Sequence, residues 1–211
     1  MSHVPPYEMS EFKLLSDNEI KTMITSGNSK SCMLDPIPTS LLKQILPTIL
    51  PTIRNIINMS LGTSQMPAEL KEATVKPLLK KQSLDSENLQ NYRPVSNLAY
   101  IGKLIEAAAV NQMNEHMSQH KLHEPLQSAY KAGHSVETAL TKVSNDILMD
   151  MDKGKCAMLI LLDLSAAFDT IDHNVFLNRI KHDSGIVAGP HKWLKSYFTD
   201  RYQSVNVQIF Q

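Results

Sequence analysis

Apolar residues along this chain recur mostly at spacings of three and four, the signature of amphipathic helices, and three short stretches depart from it. Ile20, Met23 and Ile24 form one helical face. Ser16 precedes that face with Glu19 three residues on, which is capping-box spacing, and Gly27-Asn28 ends it. Asp35-Pro36-Ile37-Pro38-Thr39 forces an extended turn, after which Thr39 or Ser40 is expected to cap a helix over 41–46 that stops at Pro47. Ile53, Ile56, Ile57 and Leu61 predict a helix over 51–61 closed by Gly62. A helix over 101–120 would pack through Leu104, Ile105, Ala108 and Met113. One over 135–151 would pack through Ala139, Leu140, Val143, Ile147 and Leu148. Residues 173–182 read as helical before Gly185, and from Trp193 onward Leu194, Tyr197 and Phe198 make a last helical face.

The three departures are β-like. Residues 73–79 end at Lys80-Lys81 and a polar loop over 82–90, as one arm of a hairpin would. Residues 157–162 (Ala-Met-Leu-Ile-Leu-Leu), entered through the turn Lys153-Gly154-Lys155, are too few to cross a membrane. They are also too continuously apolar for a half-exposed strand, so they predict one covered on both faces. Residues 204–210 alternate polar and apolar like a half-buried strand. There is no internal repeat or low-complexity segment. The fold class is α+β.

With 211 residues and 42% hydrophobic content, the chain can build a core. Its 21 basic residues balance 21 acidic ones, which argues against a protein that coats nucleic acid along its whole surface and leaves room for a local basic patch. Cys32 and Cys156 lack metal-type spacing and suggest a reduced, intracellular setting. No signal-peptide core or membrane-length apolar window occurs. A soluble protein of nucleus or cytoplasm is expected, without membrane partners and with no indication of oligomeric state.

Asp163 stands where the 157–162 run ends. An ionised carboxylate withdrawn from water loses several kcal/mol unless compensated. A bound Mg²⁺ would compensate it, and capping a following turn would keep it solvated instead. The pattern alone fits either.

Four ordered segments carry a resemblance: SCMLDPIPTSLLK (31–43), NYRPVSNL (91–98), QSAYKAGHSVETAL (127–140) and LLDLSAAFDTIDH (161–173). Together they resemble the entry, fingers, template-proximal and first palm motifs of reverse transcriptases from non-LTR, LINE-like retrotransposons. The resemblance runs over roughly residues 10–211. It implies a mostly helical fingers-like region (16–152) after a tail (1–15). The first part of a palm follows (153–211), an antiparallel sheet with helices on one face. The family's Asp-Asp hairpin does not occur before Gln211, so the chain reads as a partial domain that would not catalyse synthesis alone.

The resemblance further implies RNA-templated DNA synthesis from an RNA template, a DNA primer and deoxynucleoside triphosphates, with two Mg²⁺ ions. Asp163 would be a metal ligand and catalytic carboxylate, aided by the Leu164 carbonyl. Phe168 would lie under the sugar and exclude a 2′-hydroxyl, or else pin the following helix to the sheet. Arg93, held extended before Pro94, would fork onto the triphosphate with Lys80 or Lys81, although a lysine pair beside a polar loop also serves as a solvated face. Gln127, Tyr130, Lys131, Gly133, His134 and Ser135 would touch the template as a loop entering a helix, and a ligand-free capping loop has the same composition. Two departures from the family stand out: Glu106-Ala107-Ala108-Ala109 where a basic residue is usual, and Lys131-Ala132 where Arg is commoner. A non-catalytic nucleic-acid-binding or interaction module of retroelement origin is the alternative.

Overall fold

Ser16 opens helix α1 (Asp17–Ser26), and the expected box forms: the Ser16 N–H donates to Glu19 Oε2 at 2.8 Å while the Glu19 N–H returns to Ser16 Oγ at 3.4 Å. This and all that follows come from a computed structural model, which describes residues 6–27, 31–164 and 170–205. The chain divides into two compact units, residues 1–120 with 173–211, and residues 121–172.

The first unit holds α1, α2 (Thr39–Gln44), α3 (Leu46–Thr63), β1 (Glu72–Leu79), β2 (Tyr92–Leu98) and α4 (Tyr100–Gln119). Beyond the second unit it resumes with α6 (His173–Ser184), α7 (Ala188–Phe198) and β3 (Tyr202–Val205). Its core joins Ile20 and Ile24 of α1, Ile53, Ile57 and Leu61 of α3, Leu104, Ile105, Ala108 and Ala109 of α4, and Trp193 of α7. Burying apolar surface of this kind contributes about 25 cal/mol per Å². The buried Trp193 N–H donates to Ser60 Oγ at 3.0 Å, and that hydroxyl donates onward to the Gln65 carbonyl at 2.6 Å. The small residues at 108 and 109 have a packing reason, because Ala108 and Ala109 are 1% and 0% exposed and leave no space for a basic side chain.

Helix boundaries shift where proline and glycine punctuate the sequence. Thr39 is the first residue of α2 rather than its cap, and its N–H donates to Ser31 Oγ at 2.6 Å. Helix α3 starts at Leu46 and continues through Pro51, where the helix was expected to begin. Pro47 occupies the first turn, whose N–H groups have no helical partner, so Pro51 costs the helix a single interior bond. Gly62 lies inside α3, and Ser64 ends it in the left-handed region (φ 57°).

The sheet is mixed, in the order β2-β1-β3: β1 and β2 run antiparallel, and β3 joins β1 in parallel. β3 covers the start of the alternating stretch expected as a strand, and residues 206–211 lie outside the described residues.

The second unit holds α5 (Val136–Asp152), with Ser135 as its N-cap. Two expectations fail here. No residue of α5 is buried: Leu140, Val143 and Leu148 of the expected packing face are 60%, 38% and 59% exposed. Residues 157–162 form no strand, with Met158, Leu161 and Leu162 87%, 82% and 88% exposed. A strand requires a hydrogen-bonded neighbour. Among the described residues the only sheet is β2-β1-β3, which leaves this run without a ladder.

Candidate nucleotide and nucleic-acid site

The hairpin of β1 and β2 positions two of the expected site residues. Its register pairs Lys76 with Val95, Pro77 with Pro94, Leu78 with Arg93 and Leu79 with Tyr92, and the Lys80 N–H donates to the Asn91 carbonyl at 2.8 Å just beyond. Antiparallel pairs alternate between hydrogen-bonded and non-bonded. Counting back from Lys80 and Asn91 puts Leu78 with Arg93 at a bonded position and the facing prolines at a non-bonded one. Neither proline therefore removes a bond from the hairpin ladder.

Side chains alternate across a strand, so one face carries Ala73 and Val75 into the core. The opposite face carries Lys76, Leu78 and Lys80 from β1 and its end, and Arg93 and Val95 from β2; all five are exposed. Lys80 and Arg93 are thus brought together on one surface. The Lys80 ammonium donates to the Gln90 carbonyl at 2.7 Å. The loop itself is braced: Asn91 Nδ2 donates to the Asp85 carbonyl at 2.8 Å and the Tyr92 hydroxyl to the Ser86 carbonyl at 3.0 Å. Lys81 is exposed in that loop. Lys76, which sequence reading passes over, shares the cationic face; its signal was the alternation of 76, 78 and 80.

The template-proximal residues lie in the second unit and form one loop. Gln127 Nε2 donates to the Ala129 carbonyl at 3.2 Å, and Tyr130 and Gly133 adopt positive φ (59° and 74°). The His134 N–H donates to the Lys131 carbonyl at 3.2 Å, and His134 Nδ1 lies 3.1 Å from the Ala132 carbonyl. Lys131 is half-buried, while Tyr130 is 90% exposed. Two N–H groups at the α5 start are already satisfied, since the Ser135 N–H donates to Thr138 Oγ1 at 2.8 Å and the Thr138 N–H to Ser135 Oγ at 3.3 Å. Glu137 sits in the same turn, its carboxyl held below the usual range by a hydrogen bond with Ser135, which puts a negative charge where a phosphate would approach.

Asp163 and Leu164, also in the second unit, are exposed, rather than buried at the end of a strand. Phe168 lies outside the described residues. Among the described residues no group of three or more His, Cys, Asp or Glu side chains is placed to hold a metal ion. Mg²⁺ is usually held through one or two carboxylates, with waters and substrate phosphates completing its six oxygens, and Asp163 would be one such carboxylate with the Leu164 carbonyl beside it. No helix among the described residues is long and apolar enough to cross a membrane.

A family model described as "Reverse transcriptase (RNA-dependent DNA polymerase)" matches residues 79–210, more than half of the chain, from the end of β1 onward. The chain belongs to the reverse transcriptase family. Among curated relatives this reverse transcriptase chain is similar to the probable RNA-directed DNA polymerase from transposon BS of Drosophila melanogaster, at 26% identity over 85% of the chain and 19% of the relative. It is also similar to the RNA-directed DNA polymerase from mobile element jockey of the same fly, at 24% identity over 98% of the chain and 22% of that relative. The jockey polymerase of Drosophila funebris is 28% identical over 71% of the chain and 16% of its own length. The reverse transcriptase chain spans about a fifth of the length of these relatives. All three belong to mobile elements, in agreement with the LINE-like motifs.

Proposed function

We propose that this chain forms the nucleotide-receiving part of an RNA-directed DNA polymerase domain, in which Arg93 and Lys80 hold the triphosphate of an incoming deoxynucleoside triphosphate. The observation that carries this is the hairpin register, with Arg93 opposite Leu78 and Lys80 two residues further along β1 on the same exposed face. The bonded backbone of Arg93 fixes the root of its side chain, and a guanidinium offers a planar fork that suits phosphate oxygens. Lys80 adds a point charge; to reach phosphate it exchanges the Gln90 carbonyl for a phosphate oxygen, a stronger charge-assisted bond.

The other assignments follow the motifs. Asp163 and the Leu164 carbonyl are the proposed share of this chain in a Mg²⁺ site, Phe168 is the proposed sugar gate, and RNA template and DNA primer are the proposed partners. For the template loop, the self-capped start of α5 and Glu137 shift phosphate contact onto the Lys131 and His134 side chains, with Gln127 and Tyr130 beside them.

Photo-crosslinking a deoxynucleoside triphosphate to the chain and mapping the adduct tests this reading. Label on residues 76–95, reduced by Arg93→Ala and by Lys80→Ala, is the expected result. Label confined to other segments, or indifferent to both substitutions, would sink it.

A further inference from the structure

The loop that joins β1 to β2 has two unlike halves. Residues 85–91 are braced by the bonds from Asn91 Nδ2 and the Tyr92 hydroxyl, and the Glu87 N–H donates to Asp85 Oδ1 at 2.9 Å. Among the described residues, 81–84 are held by one turn bond, the Leu84 N–H to the Lys81 carbonyl at 3.1 Å. No ion pair among them engages Lys80 or Lys81. Ser83 occupies the third position of that turn and is exposed, as are Lys80, Lys81 and Gln82 before it; Leu84 after it is half-buried.

The order Lys80-Lys81-Gln82-Ser83-Leu84 sets cations two and three residues before a hydroxyl and an apolar residue directly after it. Serine kinases with an acidic substrate cleft select that charge pattern. Such a cleft takes its substrate extended, which here costs the single turn bond, and opening of that size is cheap in an exposed, lightly held loop. Four other serines also have a base three residues before them: Ser16, Ser96, Ser184 and Ser204. Ser16 caps α1, Ser184 is buried at the end of α6, and Ser96 and Ser204 are laddered into the sheet. Ser83 alone among these five joins the pattern to a backbone free to enter a cleft.

We propose that Ser83 is a phosphorylation site for a basic-directed serine kinase, and that its phosphate closes the Arg93 and Lys80 face to the incoming triphosphate. The second half rests on the triphosphate reading above. In the transfer, the Ser83 hydroxyl oxygen attacks the γ-phosphorus of ATP, the bond from that phosphorus to the β,γ-bridging oxygen breaks, and ADP leaves. The hydroxyl proton passes to a carboxylate of the kinase. A phosphoserine carries a charge of about −1.5 to −2 at pH 7. The ends of such a turn lie within about 7 Å of each other, which sets the phosphate about one Debye length, 8–10 Å, or less from Lys80. The Lys80 ammonium, bonded to the neutral Gln90 carbonyl, gains a charged acceptor in its own loop and is withdrawn from the nucleotide.

The test treats the full chain with ATP and the catalytic subunit of cyclic-AMP-dependent protein kinase, maps the phosphate by mass spectrometry, removes ATP, and repeats the triphosphate crosslinking. Phosphate is expected on Ser83, more slowly in Lys81→Ala, and not on Ser16, Ser96, Ser184 or Ser204. The phosphorylated chain should bind the triphosphate about tenfold more weakly, the loss of one charge-assisted contact. A phosphatase should restore binding, which damage to the fold would not allow, and Ser83→Ala should bind as the unmodified chain does, before and after kinase. No phosphate on Ser83, or phosphate chiefly on another serine, would overturn the site. Equal crosslinking of the phosphorylated and unmodified chains would overturn the switch; if Arg93→Ala still lowers crosslinking there, the nucleotide reading stands without it. An unmodified chain that takes no label at all would remove both.

Discussion

Asp35 of the entry motif caps a helix that begins 65 residues later: the Tyr100 N–H at the start of α4 donates to Asp35 Oδ1 at 2.6 Å. The residue before α4, Ala99, has no side-chain acceptor, so Asp35 supplies the missing cap across the fold. Its second oxygen accepts from the Cys32 N–H at 2.7 Å, which tightens the turn that leads into α2. Since α4 directly follows β2, this contact also steadies the root of the hairpin that bears Arg93. Asp35→Ala should cost about 1–3 kcal/mol, the scale for stranding donors of charge-assisted bonds, measured by urea unfolding. Asp35→Asn, which keeps an acceptor, should lose less.

Gly185 is held against the N-terminal segment. It has φ 65°, and a Cβ there would lie 2.1 Å from the Tyr7 carbonyl oxygen. That segment bonds to the α6–α7 junction through the Met9 N–H to the Gly185 carbonyl (2.9 Å) and the Val187 N–H to the Met9 carbonyl (3.0 Å). Gly185→Ala combines the left-handed penalty of about 1–2 kcal/mol with a backbone collision. The expected outcome is lost hydrogen-exchange protection at the Met9 and Val187 amides, ahead of any loss in α4.

Tyr197 links α7 to α4 through its hydroxyl, which donates to Glu106 Oε1 at 2.5 Å, while the Arg201 guanidinium lies 4.4 Å from its ring centroid. Burial first, and the Glu106 hydrogen bond and charge second, push its phenol up to about 12. An acid whose value is raised on folding favours the neutral form of the native state. Its contribution to stability is complete below the ordinary phenol value of about 10 and disappears as pH climbs through about 12. Unfolding measured across that window should show falling stability, and Glu106→Gln should let Tyr197 ionise at lower pH in an ultraviolet titration. An unchanged Tyr197 titration in Glu106→Gln would count against this link.

Local signals in the sequence were read well where the cause is local. The Ser16–Glu19 box, the β1 stretch before Lys80-Lys81 and the Leu104, Ile105, Ala108 and Met113 face all formed. Pro51 was misread because a proline marks a helix start or a tolerated defect depending on what precedes it, and here the turn containing Pro47 already forms the start. The apolar runs of α5 and 157–162 report which side chains favour cover, but not what supplies it. Contacts such as Asp35 with Tyr100, or Ser60 with Trp193 across 133 residues, leave no local trace. Of the candidate positions, Arg93 was singled out within its motif and the choice between Lys80 and Lys81 stayed open, whereas the face that Arg93, Lys80 and Lys76 share required the strand register, as did the parallel β3 that a hairpin pattern does not announce.

Isothermal titration of the chain with a deoxynucleoside triphosphate, and with the corresponding monophosphate, probes the Arg93 and Lys80 face most directly. Arg93 is exposed, so Arg93→Ala should change stability by no more than about 0.5 kcal/mol and leave the fold intact. The triphosphate should bind more tightly than the monophosphate, and Arg93→Ala should erase most of that difference, about tenfold or more for a charge-assisted contact of about 1.5–3 kcal/mol. Equal affinity for the two nucleotides, or a preference for triphosphate that survives in Arg93→Ala, would contradict the assignment of this hairpin face to the incoming nucleotide.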